Sequence, residues 1–176
     1  MWIRSSLVAL FWLGWMIASY GDAAHADGIV TPSPSTLASG VQILVASPPA
    51  TTSLSPVMMG TAAGTTTMTP VTTGRIFISA SVSISNNTSN DGCAAQIVTG
   101  TGNGPVAGVA SPGGGTLQGQ LVATTGAPQV EWMMLVVQAY VTGLSLRTPI
   151  WIDLTYRADK GGTCTMQNLT IVALEQ

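Results

Sequence analysis

The residues able to do chemistry are few. The chain carries one histidine, two cysteines, five basic and seven acidic side chains. His25 lies in an N-terminal stretch that reads as a removable signal, so the mature chain is expected to have no imidazole. Without one, a Ser-His-Asp triad or a Cys-His pair has no base. A Ser-Lys dyad would have to use Lys160, which stands beside Gly161-Gly162 in what reads as a solvated turn. Paired carboxylates are the remaining design. Asp153 lies near Trp151 and Glu131 adjoins Trp132, and a carboxylate beside an aromatic ring suits a sugar site. The plainer reading is an acid on the solvent face of a strand, and both readings stand. Trp151, Trp132, Tyr140 and Tyr156 are candidates either for ligand stacking or for the core.

Metal and phosphate chemistry find little support. Cys93 and Cys164 lie about 70 residues apart, which is not zinc spacing. The turn from Asn86 through Asn90 to Asp91 offers side-chain oxygens, but one carboxylate and no EF-hand spacing. The run Gly100-Thr101-Gly102-Asn103-Gly104 resembles a phosphate-cradling loop, yet Pro105 follows where a helix should begin. It reads as a flexible surface loop. No metal and no cofactor are expected. A net charge of −2 with no basic cluster argues against nucleic acid.

Strands must position whatever chemistry remains. Charged residues make up 7% of the chain, while Thr, Ser and Gly abound, a composition that favours strands and turns over helices. RIFISASVSIS (75–85) alternates strictly, with Ile76, Ile78, Ala80, Val82 and Ile84 on one face. NNTSNDG (86–92) is a turn, CAAQIVT (93–99) a second strand, and the pair reads as a hairpin. TLQGQLVAT (116–124) is a strand, and QVEWMMLVVQAYVTGL (129–144) contains a core strand. RTPIWIDLTYRA (147–158) alternates again and reads as a hairpin with TCTMQNLTIVALE (163–175). Pro, Gly and Thr clusters over 47–73 leave no room for a helix of ordinary length. The expected fold is all-β, an antiparallel sandwich of jelly-roll type.

Arg4 followed by the apolar run Leu7–Ala18 and by Ala24-His25-Ala26 fits a cleaved signal peptide over 1–26. The run is too short to span a bilayer, and no membrane span is expected in the mature chain. Residues 27–46 then read as an extended arm and 47–176 as the folded domain. Export to a secreted, periplasmic or cell-surface location makes a Cys93–Cys164 disulfide the first reading of the cysteine pair, with two free buried thiols as the alternative.

The stretch from about Thr73 to Gln176 resembles a jelly-roll module of bacterial secreted proteins and phage tail-fibre C-termini, broadly similar to the C1q/TNF-like fold. RIFISASVSIS, SNNTSNDGCAAQIVTGTGNGP and YVTGLSLRTPIWIDLTYRADKGGTCTMQNLTIVALEQ carry the likeness. It implies homotrimerisation through one sheet face and recognition by loops, with no catalytic set to transfer. The first functional reading is thus a non-enzymatic, self-assembling structural or surface-binding protein. Its contact loops would be Asn86–Gly92 and Gly100–Gly115, and its partner a surface glycan or protein. A carbohydrate-binding or weakly glycan-active protein using Trp151 and Asp153 is the second. An envelope or pilus-like subunit donating its 27–46 arm as a strand is the third.

Overall fold

Strict alternation makes the longest central element. In a computed structural model that describes residues 40–45, 47–61, 67–124 and 132–176, Ile76–Asn86 is an unbroken strand with every second side chain buried. In chain order the strands are β1 (Gly40–Val45), β2 (Val57–Met58), β3 (Thr67–Met68), β4 (Ile76–Asn86) and β5 (Cys93–Thr101). They continue with β6 (Thr116–Thr124), β7 (Met133–Val141), β8 (Ile150–Ala158) and β9 (Cys164–Glu175). No helix occurs among the described residues. The expected signal, its cleavage site, His25, residues 27–39 and Glu131 lie outside the described residues.

The strands form two antiparallel sheets stacked as a jelly-roll sandwich. One sheet has the order β1-β9-β4-β7; the other has the order β2-β8-β5-β6, with β3 also paired to β8. The inner faces meet in one core that includes Ile76, Ile78, Ile97, Val137, Ile152, Leu154, Met166 and Ile171. Cys93 on β5 and Cys164 on β9 are bonded, with Cα atoms 5.7 Å apart, so the disulfide ties one sheet to the other.

Two expectations about strand pairing need correction. The 75–85 and 93–99 strands are not a hairpin: β4 pairs with β7 and β9, and β5 with β6 and β8. β8 and β9 likewise belong to different sheets. Both turns cross the sandwich, and burial drives the crossing, since strands with one apolar face bury it only against the opposite sheet. Of the arm expected over 27–46, residues 40–45 are described. They are β1, paired along its whole length with β9. The 47–73 region packs into the sandwich through β2 and β3, with Met58, Met59 and Met68 buried.

A second, smaller core covers part of the outer face of β8. Met58, Val98 and Trp151 pack together there. The chain from Pro56 to Gly60 lies against the 106–111 segment through Met58 N–H to Val109 O, Gly108 N–H to Met58 O and Ser111 N–H to Pro56 O bonds. The 106–110 residues stay exposed, and the segment braces the chain around β2 through these bonds.

Candidate functional site

Most of the residues singled out by type are buried. Trp151, a candidate either for ligand stacking or for the core, is 1% exposed. A Cβ at Gly100 or Gly115 would stand 2.2 or 2.3 Å from its indole ring, so only glycine lets these two strand ends lie against it. Its Nε1–H donates to the Thr101 carbonyl at 3.2 Å. Asp153 is fully buried beside it in the strand. It accepts bonds from the backbone N–H groups of Gly60 (2.8 Å) and Thr61 (3.2 Å), from the Thr61 hydroxyl and from its own neighbour, the Leu154 N–H (2.8 Å). Burial pushes the Asp153 carboxyl up, against the pull of these donors. Burial, and then the nearby Asp153 charge, raise the Tyr156 phenol.

The Asn86–Asp91 turn is a clamp between the two sheet crossings. Asp91 accepts from the N–H groups of Gly92 (2.7 Å), Lys160 (2.7 Å) and Gly162 (2.6 Å). Burial raises its carboxyl, but these bonds and one from Asn86 outweigh burial and leave it below the ordinary carboxylate value. Asn86 is buried too, accepting from Thr88 N–H and donating to the Gly92 carbonyl. A Cβ at Gly162 would stand 2.4 Å from Asn86 Oδ1 and 2.7 Å from Asp91 Oδ2, so the clamp closes only on glycine. Asn90 alone of the three is exposed, in the left-handed conformation at φ 59°, with Lys160 Nζ donating to its carbonyl. The clamp lies where strands of opposite sheets meet; Trp151 and Asp153 lie on the outer face of β8. No three His, Cys, Asp or Glu side chains come together to hold a metal among the described residues.

The surface that stands out is the outer face of the β1-β9-β4-β7 sheet. Register places its side chains in rows across the strands. Gly40, Leu174, Phe77 and Tyr140 form one row; Gln42, Val172, Ser79 and Gln138 the next; Leu44, Thr170, Ser81 and Val136 a third. Ser83 follows between Gln167 and Met134. None of these side chains is charged. Large apolar groups among them are open to solvent: Leu44 is 72% exposed, Met134 69% and Tyr140 56%, with Val136 and Leu174 also exposed. Down the middle of the face runs the serine ladder of β4, which lets a neighbouring surface approach closely. The alternation of β4 and β7 made both strands legible, but only the sheet order shows that their outward residues and those of β9 share one face.

No known protein family matches the sequence, and no curated protein is similar to it. Some solved structures are similar in part. A subviral particle of infectious bursal disease virus VP2 matches at 10% identity with a TM-score of 0.48, covering 84% of this chain and 37% of that one. This chain thus spans little more than a third of that protein. Eiger TNF from S. frugiperda matches at 8% identity and TM-score 0.41, over 80% of this chain and 92% of that one. A two-module fragment (CBM22-1 and GH10) of Clostridium thermocellum xylanase 10B, complexed with xylohexaose, matches at 13% identity and TM-score 0.36, over 60% of this chain and 21% of that one.

Proposed function

We propose that this chain is a non-enzymatic jelly-roll module that self-associates through the outer face of its β1-β9-β4-β7 sheet and serves as a structural or surface-binding protein outside the cytoplasm. The observation that carries this reading is the face itself, whose paired rows from Phe77 to Ser83 hold no charged side chain. Contiguous exposed apolar groups mark an interaction surface. A face without charge offers nothing complementary to a strongly charged partner, whereas its serine, threonine and glutamine rows are self-complementary. Closed cyclic assembly covers such a face without leaving a free copy of it. Three copies is the number that the C1q/TNF-like resemblance implies, and a secreted bacterial or tail-fibre-type module is the setting it suggests. The Cys93–Cys164 bond favours an oxidising compartment, and the expected signal peptide would deliver the chain there.

The test is the native mass of the purified protein by light scattering on a sizing column. Three chains per particle is the expected result, with Val136→Lys reducing it to one. A wild-type monomer at micromolar concentration overturns the reading. The donated-strand alternative is less well supported, because Gly40–Val45 already pairs with β9 of its own chain.

A further inference from the structure

Where β5 ends, β6 begins and β7 ends, the sandwich holds a cleft of about 530 Å³. That volume lies within the range typical of small-molecule sites, roughly 300–1,000 Å³. Its lining includes Thr101, Gly115, Thr116, Gln118, Tyr140 and Thr142. No lining side chain is charged. An anionic ligand would meet no cation there and a cationic one no carboxylate.

What the cleft presents instead is neutral hydrogen bonding around an aromatic ring. Each threonine hydroxyl can both donate and accept, and the glutamine amide adds a donor pair and an acceptor. Gln118 Nε2 donates to Thr99 Oγ1 at 2.9 Å, which fixes the amide and leaves its Oε1 for a ligand. The hydroxyls of Thr101, Thr116 and Thr142 make no hydrogen bond among the described residues. The Tyr140 ring stands more than half exposed at the rim. The walls are held in shape from behind: Gly100 and Gly115, both lining residues, rest on the buried Trp151 ring, whose Nε1–H holds the Thr101 carbonyl. A preformed, uncharged cleft that mixes dual-character hydroxyls with an aromatic face suits a ligand made of hydroxyl groups and C–H faces.

We propose that this cleft binds a neutral saccharide, with a sugar ring against Tyr140 and its hydroxyls on Gln118, Thr116 and Thr142. Trp151, in place of stacking on sugar, positions the wall. The site is separate from the self-association surface except at Tyr140, which borders both.

The experiment titrates the isotopically labelled full protein with the tetrasaccharides of glucose, mannose, galactose and xylose, and with a tetragalacturonate as the acidic counterpart. Amide shifts at Thr101, Thr116 and Thr142, together with the Trp151 indole N–H, report occupancy. At least one neutral tetrasaccharide is expected to shift these signals in a saturable manner. Tyr140→Ala and Gln118→Ala should each weaken it roughly tenfold, the scale of one lost contact. Tyr140→Phe should bind as the wild type does, which separates loss of the ring from loss of the fold. Val136→Lys should abolish self-association yet leave binding intact. Silence at these amides with every neutral sugar overturns the proposal, as does wild-type affinity in both alanine variants. Preference for tetragalacturonate overturns it as well.

Discussion

At Glu175 one carboxylate closes a whole turn. It is 3% exposed and accepts from four successive backbone N–H groups, those of Val71 (2.8 Å), Thr72 (2.8 Å), Thr73 (2.7 Å) and Gly74 (3.1 Å). Burial alone would raise its carboxyl, but the four donors overcome it and bring the value from 4.5 down to about 2. A carboxyl depressed on folding contributes stability that is present above pH 4.5 and is lost as pH falls towards 2. Asp91 acts in the same direction. Denaturant midpoints measured across this window should therefore fall steeply, and Glu175→Gln should flatten the slope. At neutral pH Glu175→Ala should cost about 3 kcal/mol, because it strands buried N–H groups. Asp153 has the opposite sign. Its carboxyl is raised by burial, so its contribution weakens as pH rises from 3.8 through the folded-state value, and Asp153→Asn should remove that dependence. Gly100→Ala is a packing test at the same scale. A methyl 2.2 Å from the Trp151 ring should cost about 2 kcal/mol in thermal or denaturant unfolding.

Elements are joined here by crossings that pair residues distant in sequence. β4 and β5 are separated by six residues, yet each finds its partners in a different sheet. Two register shifts shape the sheets. One, between Ser81 and Ser83 against β9, coincides with Asn168 at φ 55°. The other, between Ala95 and Ile97 against β6, coincides with Gly119 at φ 64°, where a Cβ would stand 2.4 Å from the Gln138 carbonyl on β7. Glycine there lets β6 come up against β7 and narrows the gap between the sheets. The disulfide spans 71 residues of chain and both sheets. Reduction, or the Cys93→Ala/Cys164→Ala pair, should lower unfolding stability by about 4 kcal/mol through the longer-ranging unfolded chain. Chemical denaturation with and without reductant checks it.

For the whole molecule, the small number of charges and the proposed assembly belong together. Of the acids on described residues, Asp91, Asp153 and Glu175 are buried in backbone cradles, and Asp159 pairs with Arg157 at 3.4 Å. Few charges remain to solubilise the outer sheet faces, and another copy of the chain can cover one of them. An interface made without ion pairs should be insensitive to salt. The native mass should thus stay constant from about 50 mM to 1 M salt, where screening would loosen a charged interface. Dissociation on raising salt would show that charged groups hold the assembly.

The alternation of 75–85 and of 147–158 specified two strands and their inner faces without any structure, because a period of two admits only one way to bury a strand's apolar side. The same logic reached the all-β class and, through an even cysteine pair, the disulfide. Partnership between strands was out of its reach. A turn sequence such as Asn86–Gly92 reverses the chain equally well within a sheet or across a sandwich. What chose between them was the burial of both sheets' apolar faces against each other. The fates of Trp151 and Asp153 were decided in the same way. Their face of β8 has the composition of an exposed one, and it became interior only when the 56–61 segment folded against it and Gly100 and Gly115 closed on the Trp151 ring. The uncharged outer face and the threonine-lined cleft each draw on strands distant in sequence, and only the tertiary structure brings those strands together.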